Sequence, residues 1–361
     1  MKKALVAMSG GVDSSVAALL TQQAGYDACG CTMVLHDFSA PAERTEKTCC
    51  AQSDVEDARS VARRLAMPFW AFNFKDEFYE KVVFPFISDY ENARTPNPCI
   101  NCNRYLKFAK LYQRAKELGC DKIVTGHYAR IEEKDGVFYL KKALDETKDQ
   151  SYVLYSLTQD NLAHTLFPLG DLTKSQVRRI AEESGFVNAR KPDSQDICFV
   201  PDGNYARVIE EVTHKTYPPG PFLSLTGEVL GEHRGIIRYT VGQRKGLGIS
   251  GGNPLYVVRV DPEKNAVILG KNEDLFRTVF FCRDLSWTAS APDAPMEACV
   301  KTRYRQKEVP ARITPLESGK VKVETSVPLR AITPGQAAVF YQEDTVLGGG
   351  IIEAPDKETL L

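Results

Sequence analysis

The sequence has almost no net charge and no long apolar run. Among 361 residues, 46 Lys and Arg stand against 47 Asp and Glu, a formal net charge of −1. That balance argues against a uniformly basic coat, so a polyanionic partner would have to be held by local basic patches. No apolar stretch is long enough to cross a bilayer, and the run after Met1-Lys2-Lys3 is too short for a signal core, so a cytoplasmic protein is expected. Without a secretory signal, the ten cysteines are expected as reduced thiols with chemical or metal roles rather than as a disulfide framework. With 43% hydrophobic residues, a chain of this length buries more than one core, in two or three domains.

What is present is organised around one stretch, Ser9-Gly10-Gly11-Val12-Asp13-Ser14-Ser15. It separates an apolar run, Ala4 to Met8, that reads as a buried strand from an Ala/Leu-rich run, Val16 to Ala24, that reads as a helix ending at Gly25. The glycines let the backbone turn sharply and approach a ligand, and the serine hydroxyls stand beside the free N–H groups of a helix start. A helix N-terminus favours phosphate, and Asp13 within it calls for a cation, most simply Mg²⁺. The stretch lacks the lysine of the G-x-x-x-x-G-K-[ST] phosphate loop, so it is not that loop.

Up to about residue 130, strand and helix patterns alternate. Strands are expected at 28–34, 68–74 and 122–126. Helices are expected at 54–65, with Ser53 or Asp54 as cap, at 76–90, with a kink or early stop at Pro85, and at 106–118, closed by Gly119. This alternation implies a doubly wound parallel sheet whose ligands lie beyond the carboxyl ends of its strands, which puts the glycine loop, Met33 and Gly126 on one rim. The stretch Thr95 to Asn103 reads as a Pro-rich loop before a helix beginning near Arg104. Cys102 would then stand close to a helix start, which lowers a thiol pKa toward neutrality and makes a nucleophile. In Lys191 to Phe199, Cys198 follows a polar turn and precedes an apolar pair; alone it would read as a small buried hydrophobe.

A hairpin is expected around Lys134-Asp135-Gly136, then a capped helix from Thr173 to Gly185 with Lys174, Arg178 and Arg179 on a basic or merely solvated face. The alternation ends near residue 204, which divides the chain into 1–204, a small β-rich unit at 205–273, and 274–361. Strands are expected in the middle unit at 229–230, 236–241, 255–260 and 266–269, and the loop Gly242 to Gly248 suits phosphates. The last unit reads as a small β-barrel, in which Lys301, Arg303, Arg305 and Lys307 would share one face at a period of two.

Six strings, Ser9 to Ser15, Thr95 to Asn103, Gly126 to Arg130, Lys148 to Leu154, Ser194 to Phe199 and Tyr239 to Ile249, together closely resemble the tRNA-specific 2-thiouridylase family, within the PP-loop ATP pyrophosphatases. The resemblance implies that ATP and Mg²⁺ adenylate the C2 oxygen of a wobble uridine, which sulfur then replaces. It assigns nucleotide binding to Ala7, Met8, Ser9, Gly10, Gly11, Val12, Asp13, Ser14, Ser15, Met33 and Gly126. It assigns the flipped base to Asn97, Pro98 and Cys99, and tRNA contacts to His127, Lys148, Asp149, Gln150, Tyr304, Arg305 and Gln336. His127 retains a rival role as general acid or base, since an imidazole titrates near the working pH. Cys198 is implied as the persulfide carrier, and Cys102 as the nucleophile that either releases the thiolated base, leaving a Cys102 to Cys198 disulfide, or frees bound sulfide for attack on the base. The expected acceptors are tRNAs for Lys, Glu and Gln, and the sulfur donor a relay protein or a cysteine desulfurase.

Cys99, Cys102 and Cys198 also form a possible ligand set for an iron-sulfur cluster with one open iron. Cys49 and Cys50 match the family without a role, and Cys29, Cys31, Cys120, Cys282 and Cys299 read as packing residues. A PP-loop synthetase acting on a small molecule explains the glycine loop alone, and a non-enzymatic, metal-containing RNA-binding protein explains the cysteines alone.

Overall fold

The computed structural model describes residues 1–36, 52–193, 196–200, 202–249 and 253–354; Cys49, Cys50, Ser194 and Gln195 lie outside them. Five parallel strands form the first sheet: β1 (Lys3–Ala7), β2 (Asp27–Val34), β3 (Phe69–Asn73), β4 (Lys122–Thr125) and, after the hairpin β5 (Arg130–Lys134) and β6 (Val137–Lys141), β7 (Thr165–Leu166). Their order is β3-β2-β1-β4-β7. Strand alternation sorts the side chains into two cores. Leu5, Cys29, Cys31 and Ile123 face Phe74, Phe78, Phe86, Leu106 and Leu111. Ala4, Val6, Met8, Ala28 and Val124 face Val16, Ala17, Ala58 and Val61. Helices therefore cover both faces, and the doubly wound sheet is as the alternation implies.

The helices depart from the sequence reading at their ends. Helix α1 (Val12–Gln23) begins inside the glycine loop, and α2 (Gln52–Arg64) already runs through Ser53 and Asp54. Pro85 neither stops nor ends its helix, because the preceding turn, Tyr79–Val83, is a π segment, and Pro85 opens the α segment Phe84–Glu91. The wider turn frees the carbonyl that a proline ring would otherwise strike. Likewise, the helix expected near Arg104 starts at Pro98 and is continuous over 98–117, with a π segment at Cys102–Lys110. Asn97 is its N-cap, its side chain accepting from the Cys99 N–H, and Pro98 fills the first position, where no N–H is needed.

The second sheet joins β8 (Gly220–Leu223), β9 (Val229–His233), β10 (Tyr256–Asp261) and β11 (Ala266–Gly270) in the order β10-β11-β8-β9. Residues 236–241, expected as a strand, instead open as a single 3₁₀ turn, Ile236–Arg238, entered through Gly235 at φ 98°. In the third sheet, β12 (Phe276–Trp287), β13 (Met296–Lys301), β14 (Val309–Pro315), β15 (Val321–Arg330), β16 (Ala337–Gln342) and β17 (Thr345–Ile352) close into a six-stranded antiparallel barrel, because β12 pairs with both β15 and β17. The β5–β6 hairpin reaches this barrel through Lys141 and Thr345. Strand β13 stops at Lys301, so the alternation expected over 301–307 is lost and those four cations do not form one face. No helix among the described residues is long and apolar enough to cross a membrane.

Phe340, fully buried in the barrel and stacked on Trp287 with ring centroids 5.6 Å apart, anchors that core. Phe340→Ala should cost about 3–5 kcal/mol; a fall in the urea midpoint read from Trp287 fluorescence checks it.

Candidate active site

The chain leaves β1 toward β2 on one side and returns to β4 on the other, so the crevice between the carboxyl ends of β1 and β4 is the switch point of the sheet. The glycine loop leaves β1 there and Gly126 leaves β4. The two approach so closely that a Cβ on Gly126 would lie 2.8 Å from the backbone of both Asp13 and Ser14. Gly10 has φ +75°, and a Cβ there would lie 2.3 Å from the Asp54 carbonyl oxygen; both reasons require glycine. Gly11 is the N-cap of α1 with no side-chain cap, so the first-turn N–H groups are open to an anion. The hydroxyls of Ser14 and Ser15 both donate to the Gly11 carbonyl at 3.0 Å. From across the rim, Asn188 donates to the Gly10 carbonyl and to Ser15 Oγ, each at 2.9 Å, and its own Oδ1 is buried with no partner.

Asp13 does meet a cation, but here it is Lys174. The lysine Nζ lies 2.7 and 2.8 Å from the two Asp13 oxygens and 2.8 Å from Asp193 Oδ1, while the Tyr128 hydroxyl donates to Asp13 at 2.9 Å. Asp193 also receives Lys148 at 2.8 Å and Arg178 at 2.7 Å. These cations hold its carboxyl below the usual range against the opposing effect of burial. Lys191 is held in turn by Asp54 and Asp57 at 2.5 and 2.7 Å. The helix Lys174–Glu183 thus turns two of its three cations inward; only Arg179 has the solvated position expected, with 69% of its side chain exposed.

A second cleft, of about 500 Å³, opens among loops of the first unit, the middle unit and the barrel, lined among others by Thr95, Asp196, Thr240, Arg303, Tyr304, Arg305 and Gln336. Thr95 is the knot. Its N–H donates to the Pro334 carbonyl at 2.8 Å, its carbonyl accepts from Gln336 Nε2 at 2.7 Å, and its hydroxyl meets that of Thr240 at 3.2 Å. Arg303 turns inward to the carbonyls of Val241 and Ala331 and to the Thr333 hydroxyl. Burial, with Asp149 and Cys99 nearby, pushes the Tyr304 phenol up to about 12.

Cys102 and Cys198 lie in the same core cluster on one face of the parallel sheet, Cys102 buried and Cys198 partly so. Phe199 pins the neighbouring backbone edge-on against Phe78 and Phe86. The lowered pKa expected for Cys102 is not found: it sits inside a helix rather than at its start, and desolvation raises its pKa, only partly opposed by Lys107. Met33 borders this cluster from β2. Cys99 is exposed while Cys102, one turn on, points into the core. Among the described residues no three Cys, His, Asp or Glu side chains are grouped to hold a metal, so Cys99, Cys102 and Cys198 do not fit an iron-sulfur cluster. No disulfide joins any two described cysteines. Cys29, Cys31, Cys120 and Cys282 are buried in packing positions and Cys299 is half-buried, with Cys29 and Cys120 sulfurs 3.6 Å apart.

Several positions expected to face tRNA also brace the fold. Asp149 accepts from the N–H groups of Ala143 and Ser151 and from the Ser151 hydroxyl, and Gln150 Oε1 accepts from the Tyr128 N–H. His127 is 8% exposed, with Nδ1 2.7 Å from Thr125 Oγ1. Burial and Lys107 push its pKa well below 6.5, so the argument that it titrates near the working pH does not hold in this structure. Sequence reasoning missed Lys174, Asn188 and Tyr128, and the one signal for Lys174 was an acidic residue in an anion cradle that needs a cation.

Family models match in chain order: the tRNA methyl transferase HUP domain at residues 2–202, the tRNA methyl transferase PRC-barrel domain at 207–271 and the Aminomethyltransferase beta-barrel domain at 277–352. The tRNA-specific 2-thiouridylase MnmA of Clostridium perfringens is 48% identical over 354 residues, covering 98% of this chain and 99% of that one. That of Acetivibrio thermocellus is 49% identical over 356 residues, covering 98% and 99%. The chain belongs to the tRNA-specific 2-thiouridylase family. Members of this family are sulfur-transferring enzymes that modify tRNA. The domain descriptions speak of methyl transfer and the relatives' names of thiolation; near-full-length identity decides for the relatives. Among solved structures, a 4-thiouridine synthetase in complex with RNA and ATP aligns over 58% of this chain and 50% of its own, at 20% identity and a TM-score of 0.37.

Because the His127 ring is harder to protonate folded than unfolded, the unfolded chain binds more protons below about 6.5, and stability falls as pH drops through that value. His127→Gln should reduce this loss, seen as a smaller change in urea midpoint between pH 7.5 and pH 5.5 than in the unsubstituted protein.

Proposed function

We propose that the chain converts a tRNA wobble uridine to 2-thiouridine in two steps, using ATP and a cysteine persulfide, with tRNAs for Lys, Glu and Gln as acceptors and a relay protein or cysteine desulfurase as donor. The observation that carries this reading is convergence. Asp196, two residues before Cys198, shares a cleft with Tyr304, Arg305 and Gln336, while Cys198 packs in one cluster with Cys102. In this reading residues 1–204 form the catalytic unit, and 205–273 and 274–361 hold the tRNA.

Oxide is a poor leaving group and AMP a good one. The uridine O2 therefore attacks the α-phosphorus of ATP, and pyrophosphate departs. The open N–H groups of α1, with Met33 and Gly126 flanking, would cradle the nucleotide, and Asp13 would hold Mg²⁺, which would neutralise phosphate charge. The terminal sulfur of the Cys198 persulfide then attacks C2 and AMP leaves. Cys102 attacks Cys198 Sγ, the thiolated base departs with its electron pair, and a Cys102 to Cys198 disulfide remains for a thiol reductant. In a variant of the same chemistry Cys102 attacks the persulfide first and frees sulfide, which attacks C2. A buried Cys102 thiol is a weak nucleophile before substrate arrives, which guards the persulfide against premature cleavage. Asn97, Pro98 and Cys99 meet the flipped base. Tyr304, Arg305, Gln336, His127 and Lys148 to Gln150 position the tRNA around it. A small-molecule synthetase would leave the cleft and the paired cysteines without use.

Cys198→Ser and Cys102→Ser should each lower 2-thiouridine formation by about 10³-fold or more, while ATP- and tRNA-dependent pyrophosphate release persists. Mass spectrometry of the tRNA and a pyrophosphate assay check this; unimpaired thiolation by the Cys198 variant would sink the mechanism. Arg305→Ala should weaken tRNA binding and reduce its salt slope by about 1 with ATP affinity intact, as measured by titrations at several salt concentrations.

A further inference from the structure

The glycine loop contains no lysine, and the structure brings one to it from a distance. Lys174 is the first residue of its helix. Thr173 caps that helix through a capping box, and the Lys174 N–H donates to Asp145 at 2.9 Å. The backbone end of the side chain is thus fixed, and its ammonium, 12% exposed as a side chain, bridges Asp13 of the loop and Asp193. Lys174, Lys148 and Arg178 stand against Asp13, Asp193 and Asp145, three charges of each sign, beside the positive end of α1. The buried, unpartnered Oδ1 of Asn188 at the same loop is a second mark of a site built for a polar ligand.

We propose that Lys174 is the phosphate-binding cation of the nucleotide site, and that its shift from the carboxylates to a triphosphate reports nucleotide occupancy to the segment carrying Cys198. The proposal rests on the reading of residues 9–15 as a nucleotide loop. With Mg²⁺ and a nucleotide bound together, Asp13 would turn to the metal and the Lys174 ammonium to the phosphates, so each carboxylate and each cation would keep a partner. Asp193 gives up one of its three cations, and it lies five residues before Cys198. Lys174 is the one described side chain with ion pairs to both the glycine loop and this segment. No bond is made or broken in this step.

The test uses the full chain and the α,β-methylene analogue of ATP, which resists cleavage. Lys174→Gln should weaken binding of the Mg²⁺-bound analogue about tenfold or more, the loss of one charged hydrogen bond, while AMP affinity changes less than about threefold. Lys174→Arg should restore most of the analogue affinity. In the unsubstituted protein the analogue should change the rate of Cys198 alkylation, read by peptide mass spectrometry, and in Lys174→Gln at saturating analogue it should not. If Lys174 is merely a strut between two carboxylates, affinities for analogue and AMP fall together with thermal stability, or neither falls; either result overturns the proposal. Cys198 alkylation indifferent to bound analogue in the unsubstituted protein overturns the reporting role. Should Lys174→Gln fail to fold, Asp193→Asn decides: it should keep analogue binding and lose the Cys198 response, and a retained response overturns the coupling. An unsubstituted protein that binds neither nucleotide overturns the reading of the loop itself.

Discussion

A carboxylate in the first turn of a helix repels an anionic ligand that would bind there unless a cation offsets it, and the ion pair between Asp13 and Lys174 supplies that cation at 2.7 Å. Much of the rim around the glycine loop follows from it. The same ammonium holds Asp193, Asp193 holds Lys148 and Arg178, and Arg178 donates to the carbonyls of Ala189 and Lys191. The strand-to-helix loop of β1, the stretch after the hairpin and the approach to Cys198 are therefore one electrostatic unit, although each comes from a different part of the chain. Because these side chains are only partly exposed, salt screens them less than it would surface pairs.

Thr95 does for the other cleft what Asp13 does for the rim. Its backbone is bonded to Pro334 and Gln336 at the barrel and its hydroxyl to Thr240, and Gly335 passes so close that a Cβ there would lie 2.8 Å from the Thr95 nitrogen. The helix that follows carries Cys99 and Cys102, so the barrel and the middle sheet are referenced to the same backbone that presents the cysteines. Residues that touch tRNA in the proposed function, notably Gln336, Asp149 and Gln150, are consequently also braces.

Burial governs the cysteine chemistry more strongly than position in a helix does. A thiol at a helix start is acidified by the macrodipole, but Cys102 stands one turn further in, with apolar neighbours, and desolvation raises its pKa instead. The same physics disfavours the proton on His127, and it gives Cys102 and Cys198 unequal access to solvent within one cluster.

Local pattern determined a good deal. The strand-helix alternation, the glycine loop, the Thr173 cap, the Lys134-Asp135-Gly136 turn and the β-barrel of the last unit are all periodicities or turn chemistries within a few residues, and each is found near where it was expected. Element ends were less legible, since a π turn that accommodates Pro85 or a helix that starts on Pro98 is set by packing against the sheet. The partners of charges were not legible at all. Lys174 and Asp13 are 161 positions apart, and nothing local distinguishes a lysine on a solvated helix face from one that reaches a loop; nor does a period of two reveal that β13 stops at Lys301 and lets Arg303 turn inward. The sequence by itself determined which short segments are strands, helices and a glycine loop, because those depend on neighbours in the chain. Only the tertiary structure decided which carboxylate meets which cation and which thiol loses its water, because those energies depend on distance and burial in space.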